Sequence, residues 1–233
     1  MSKKDPVKRL KLIRTGPDMQ RALLNTNIVL LIALLVLIFL MPVVPLDVPV
    51  ISRILLSLVV VSGLFAAEFS KSLFRFLLFF ALVVVGVNVL GLLLPESASL
   101  DFLTFSLDTI FFILITIALI TQVAGAKRVN TSTLLCAVNS YLLIGLSLSM
   151  LFILLALLAP QSFNLSGEVA HKFSTFVYYG FVTLTTLGYG DILPVTPLAR
   201  SLASFTALFG QLYLVIIMAF LIGKYLNAKN QES

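Results

Sequence analysis

The sequence predicts an all-α membrane protein: six transmembrane helices, with a short re-entrant helix and an irregular loop between the fifth and sixth. Three observations predict it. Of 233 residues, 60% are hydrophobic and only 11% are charged, less than half the roughly 25% of a soluble domain. The apolar residues fall into runs of about 20, enough at 1.5 Å per residue to cross a hydrocarbon core about 30 Å thick. The basic residues collect on one side of the layout these runs impose.

A basic segment, residues 1–26, opens the chain with Lys3, Lys4, Lys8, Arg9, Lys11, Arg14 and Arg21. It either lies on anionic lipid as a short amphipathic helix or is a solvated topology signal, which is the simpler reading. No small-residue cleavage site follows the first apolar run. That run, about Asn27 to Val44, is therefore expected to stay as a span, ended by Pro42, Pro45 and Pro49. Further spans cover about Val50–Ala67, Leu73–Leu94, Phe105–Ala124 and Thr133–Leu158, and a long last one covers Leu198–Leu226. The apolar stretch Lys172–Leu184 is too short to span and reads as the re-entrant helix. Residues 27–126 thus form a four-helix front domain, residues 127–226 a second module, and residues 227–233 a short tail with no room for a regulatory domain.

Placing both termini in the cytoplasm puts thirteen of the sixteen basic residues there, including Lys71, Arg75, Lys127, Arg128, Lys224 and Lys229. The other face receives Asp47, Glu96, Asp101, Glu168 and Asp191, with Arg53, Lys172 and Arg200 as its cations. This is the asymmetry that orients multi-pass proteins. The net charge of +6 therefore calls for no nucleic acid; the expected surroundings are lipid.

One stretch breaks the apolar pattern. In "FVTLTTLGYGDILP", Phe181 to Pro194, the five residues Thr186-Leu187-Gly188-Tyr189-Gly190 cannot continue a hydrophobic helix. Glycines at alternate positions suit a backbone that visits positive φ at every other residue. Irregular backbone at membrane depth is tolerated only where protein buries it or where it lines a watery path. Carbonyl oxygens turned to one side of such a path can replace the water shell of a cation.

The run "TLTTLGYGD", Thr183 to Asp191, resembles the selectivity filter of potassium channels. With a short helix before it and a long span after it, the chain is similar to bacterial six-transmembrane potassium channels that lack voltage-sensor arginines. The resemblance implies a pore domain of outer helix, pore helix, filter and inner helix. It implies K⁺ bound by the carbonyls of Thr186, Leu187, Gly188 and Tyr189, with the Thr186 hydroxyl closing the innermost site and Gly190 completing the tract. Thr185 would support the filter, Asp191 would sit at its outer mouth, and Tyr189 would pack on pore-helix aromatics, for which Tyr178 and Tyr179 are the candidates. Gly210 matches the place where the family's inner helix bends, although glycine is also common at membrane helix contacts. Two departures stand out: Leu187 replaces the commoner valine, and Val182 stands where some members carry a buried glutamate.

The first four spans resemble a voltage-sensor domain in topology but not in chemistry. The fourth, from Phe105, holds no arginine or lysine, and its one charge is Asp108. Asp108 is expected near the outer end of the span, reaching headgroup water. Asn88 and Asn139 read as interhelical hydrogen-bonding residues, and Cys136, the lone cysteine, as a small packing residue. His171 reads as solvated, and the sequon at Asn164 as without meaning in a bacterial protein.

The expected function is passive K⁺ conduction by a homotetramer, since one filter strand per chain needs three further copies to ring the ion. Such a channel would not be voltage-gated in the usual sense, and would sit in the bacterial inner membrane. It needs no cofactor besides the K⁺ ions in its filter. The alternative is a pore-loop subunit of a potassium uptake transporter. An enzyme is disfavoured, because no cluster with metal-ligand spacing lies in the spans. No regulatory partner and no gating stimulus can be named from the sequence.

Overall fold

A computed structural model describes residues 17–40, 49–95, 97–126, 129–165 and 173–230. The basic residues 1–16, His171, Lys127 and Arg128 lie outside the described residues. The described residues are mostly helical, and among them no strand forms beyond a single bridge between Phe163 and Pro194. The helices are α1 (Pro17–Leu35, continued by a π-helical turn over Val36–Leu40), α2 (Pro49–Ala66), α3 (Lys71–Leu93), α4 (Ala98–Gly125), α5 (Thr131–Leu158), α6 (Phe173–Leu184) and α7 (Pro197–Asn230).

Among the described residues, five helices are long and apolar enough to cross a membrane: α1 with its extension, α3, α4, α5 and α7. The chain is an integral membrane protein. The expected second span, α2, has 18 residues and reaches about 27 Å, just short of a typical core. At 12 residues, α6 reaches only about 18 Å.

Side-chain caps set several of the starts. Ser70, Ser97 and Asn130 each accept a hydrogen bond from the amide three residues on, at Leu73, Leu100 and Thr133, satisfying donors that a helix start otherwise leaves open. Hydropathy alone put the fourth span at Phe105, yet the Ser97 cap starts α4 seven residues earlier, with Asp101 in the first turn, where the helix dipole favours an anion.

That earlier start overturns the expectation for Asp108. It does not reach headgroup water. It is fully buried, and its carboxylate accepts hydrogen bonds from Asn88 Nδ2 at 3.2 and 3.4 Å. Arg53, counted with the cations of the same face as Asp101, is 6% exposed and paired with Asp101 at 2.6 Å.

The centre of the molecule is α5. The front domain packs on it through α4 and α1 of the same chain, and α6 and α7 pack on its other sides. A buried polar knot fixes the front side: Asn139 Nδ2 donates to the Asn27 carbonyl at 2.9 Å and to its Oδ1 at 3.1 Å. Asn27 Nδ2 donates in turn to the Ala66 carbonyl at 2.8 Å, and the Cys136 thiol to Asn27 Oδ1 at 3.4 Å. The knot thereby joins α1, α5 and the end of α2. On the other side the Tyr213 hydroxyl of α7 donates to the Ala137 carbonyl at 2.7 Å.

Candidate functional site

The site is built on α6, which is anchored before it is aimed. Phe163, just after α5, packs edge-on against Phe176 and Tyr179 of α6 and Phe152 of α5, with ring centroids 5.2, 5.5 and 5.9 Å apart. Tyr179 also meets Phe152 at 4.8 Å. Edge-to-face packing of this kind adds to plain area burial. The end of α6 therefore has a fixed position.

The tract that follows is tied to that end. The amides of Thr185 and Thr186 donate to the carbonyls of Phe181 and Thr183, and those of Leu187 and Gly188 both donate to Val182. These bonds satisfy carbonyls that a helix end leaves open. The backbone then alternates: φ is +60° at Thr186, +52° at Gly188 and +82° at Gly190. No neighbour lies within 4 Å of where a Cβ would stand on either glycine, so conformation and not space requires glycine there. Thr186 holds the same hand without that freedom, at a cost of about 1–3 kcal/mol. Its hydroxyl accepts a hydrogen bond from Gln211 Nε2 of α7 at 3.3 Å, which helps hold the conformer. Alternation of this kind lines successive peptide groups up in one direction.

Asp191 ends the tract, exposed, and accepts a hydrogen bond from the Tyr178 hydroxyl at 2.7 Å. That bond holds the Asp191 carboxyl below the usual carboxylate range and pushes the Tyr178 phenol up. The exit segment is braced from the α5 side. Asn164 Oδ1 accepts from the Leu193 amide at 2.6 Å, and the Val195 amide donates to the Ser162 carbonyl at 2.8 Å.

The two tyrosines singled out in sequence separate in space. Tyr178 reaches the loop through Asp191, whereas Tyr179 is turned into the aromatic core around Phe163. Among the described residues neither makes a ring contact with Tyr189, which is 68% exposed in the single chain, as Leu187 is at 55%. The Thr185 hydroxyl donates back to the Phe181 carbonyl at 2.8 Å. Gly210 lies in an unbroken α7 and faces the end of α6: a Cβ on it would stand 2.2 Å from the Leu184 carbonyl oxygen. Gln211 and Asn164 escaped sequence reasoning. Gln211 adjoins the singled-out Gly210, and Asn164 was visible only as a sequon.

Residues 140–227 match a family model described as ion channel. The match runs from within α5 through α6 and the glycine tract to near the end of α7, and it supports an ion channel, which points to transport and away from an enzyme. No curated protein and no solved structure matches the chain.

Proposed function

We propose that the protein is a K⁺-selective channel that conducts passively as a homotetramer, with both termini cytoplasmic and without steep voltage gating. The observation that carries this reading is the alternation of left-handed φ at Thr186, Gly188 and Gly190, at the end of a helix too short to cross. Peptide groups aligned in this way can offer a file of carbonyl oxygens to a dehydrated cation, with the oxygens of Thr186, Leu187, Gly188 and Tyr189 as the ligands. One chain supplies a single such strand, so four are needed to surround the ion. The exposed Leu187 and Tyr189, and apolar side chains of α7 such as Leu208, Val215 and Ile216, are surfaces a neighbouring copy would cover. The basic residues favour termini in the cytoplasm.

Reversal potentials of the reconstituted protein under bi-ionic K⁺/Na⁺ conditions test the reading. They should follow the K⁺ gradient, and Tyr189→Asp should relax that preference while the assembly keeps its size. Equal permeability of the unaltered protein to the two ions would reject K⁺ selectivity. Absence of unitary current steps would reject a channel in favour of a transporter subunit.

A further inference from the structure

We propose that Arg53 is a two-position charge, which exchanges Asp101 for Asp108 along α4 and relays that exchange to α6 through the stacked rings of Phe105 and Phe173. In the position observed, Arg53 Nη2 donates to Asp101 Oδ1 at 2.6 Å. Its Nη1 is buried and has no hydrogen-bond partner. That nitrogen occupies a notch that exists because residue 91 is glycine: a Cβ there would stand 1.1 Å from it.

A second carboxylate waits deeper on the same helix. Asp108 follows Asp101 by seven residues, two turns or about 10.5 Å along one face of α4. It has no solvent exposure and is held by the amide of Asn88, whose own Oδ1 is buried without a partner. Buried polar groups in folded proteins are almost always satisfied. Here a guanidinium with one unused nitrogen and a buried carboxyl held by a single amide stand in the same bundle. Gly91 and Asn88 are three residues apart on α3. The two positions are therefore offset by about 4.5 Å of rise along α3, less than one turn.

The other charges of the neighbouring helices are remote. α3 carries Lys71 and Arg75 at its opposite end, and α1 carries Asp18 and Arg21 at its own far end. Among the described residues, the ionisable groups of this cluster are Arg53, Asp101 and Asp108. Asp101 is the one within reach of solution, with its side chain 32% exposed. Replacing it by a neutral side chain removes the guanidinium's outer carboxylate.

The path to α6 is short. Phe105 lies on the same face between the two aspartates, and its ring stacks on that of Phe173, the first residue of α6, with centroids 6.1 Å apart and planes 8° from parallel. The relay has a functional meaning only if α6 positions a filter, as proposed above; the switch itself does not depend on that reading.

Two measurements on the full chain test the two parts separately. In detergent, melting temperatures of Arg53→Gln, Asp108→Asn and the double variant give the coupling between these residues. It should grow when Asp101→Asn is added to every member of the cycle, and coupling that is unchanged or smaller would overturn the switch. In K⁺-loaded liposomes, Asp101→Asn should alter K⁺ efflux several-fold, and the effect should vanish in Asp108→Asn or Phe105→Leu backgrounds. Persistence of the effect in both would overturn the relay. If charge-neutral variants fail to fold, Gly91→Ala fills the notch without touching a charge. It should mimic Asp101→Asn, and efflux from Gly91→Ala equal to that of the unaltered chain would count against the proposal.

Discussion

Gly210 of α7 faces the last carbonyl of α6 so closely that a Cβ would stand 2.2 Å from Leu184 O. Alanine at that position must separate the two helices where the tract begins. Overpacking of this kind costs about 1–3 kcal/mol, so Gly210→Ala should melt earlier and conduct less. Gly223, in the same helix with nothing within 4 Å, is the control. There alanine should gain up to about 1 kcal/mol of helix propensity. Melting temperatures that move the same way for both variants would show that the contact with Leu184 imposes nothing.

Tyr178 and Asp191 make a pH prediction. The hydroxyl bond favours the ionised carboxylate and lowers its pKa from the ordinary 3.8. The contact is therefore complete above that value and is lost as pH falls through the lowered one. In Tyr178→Phe the Asp191 titration should move upward toward 3.8. Carboxyl carbon resonances followed against pH would detect the move, and an unchanged midpoint would remove Tyr178 as its cause.

Lys224 joins the far ends of the two modules. Its ammonium donates to the Ala124 carbonyl at 2.9 Å and also to that of Ala126, at the end of α4, and lies 4.2 Å from the Phe220 ring centroid. A cation at a helix C-terminus is worth about 0.3–1 kcal/mol when exposed, enough to bias a gate two- to fivefold. Lys224→Met should change the fraction of time a single channel is open and leave its K⁺/Na⁺ selectivity alone. Lys224→Arg should restore the original kinetics.

Conductance should depend weakly on voltage. Of the described residues, α4 carries no basic one. An exchange of Arg53 between aspartates about 10.5 Å apart along α4 would cross at most about a third of a 30 Å core. At about 2.3 kcal/mol per charge per 100 mV, that yields at most about 0.8 kcal/mol for each subunit, well short of the three or four charges per subunit that make gating steep. Conductance in symmetrical K⁺ should therefore be nearly flat or mildly rectifying. A steep sigmoid would mean that charge moves elsewhere.

The tract was legible because its chemistry is local: two glycines at alternate positions leave the backbone few other uses, and a short apolar run before it can only be a short helix. The helices were legible from length and hydropathy, but their starts were not. Ser97 begins α4 through a side-chain bond to Leu100 that an apolar ruler does not register, and Asp108 was misplaced with it. The partners of Asp108 and Arg53 lie on other helices, 20 and 48 residues away, and no periodicity links them. The two tyrosines of α6 are adjacent, about 100° apart around the axis. Sequence could say that one face meets the loop but not which ring lies on it.

The knot around Asn139 has a consequence for how the protein could be divided. Sequence suggests two separable modules joined near residue 127, but the buried faces of α5 could not be turned to lipid without exposing amide or hydroxyl groups. Its Asn139, Ser140, Ser147 and Ser149 are all buried within the chain. A pore half cut free at that joint would present Asn139 to hydrocarbon, and a front half alone would do the same with Asn27. Transplanting this pore behind a foreign front domain would require a graft that carries Asn27 and its neighbours along, because the boundary of the functional unit runs through α1 and not through the linker.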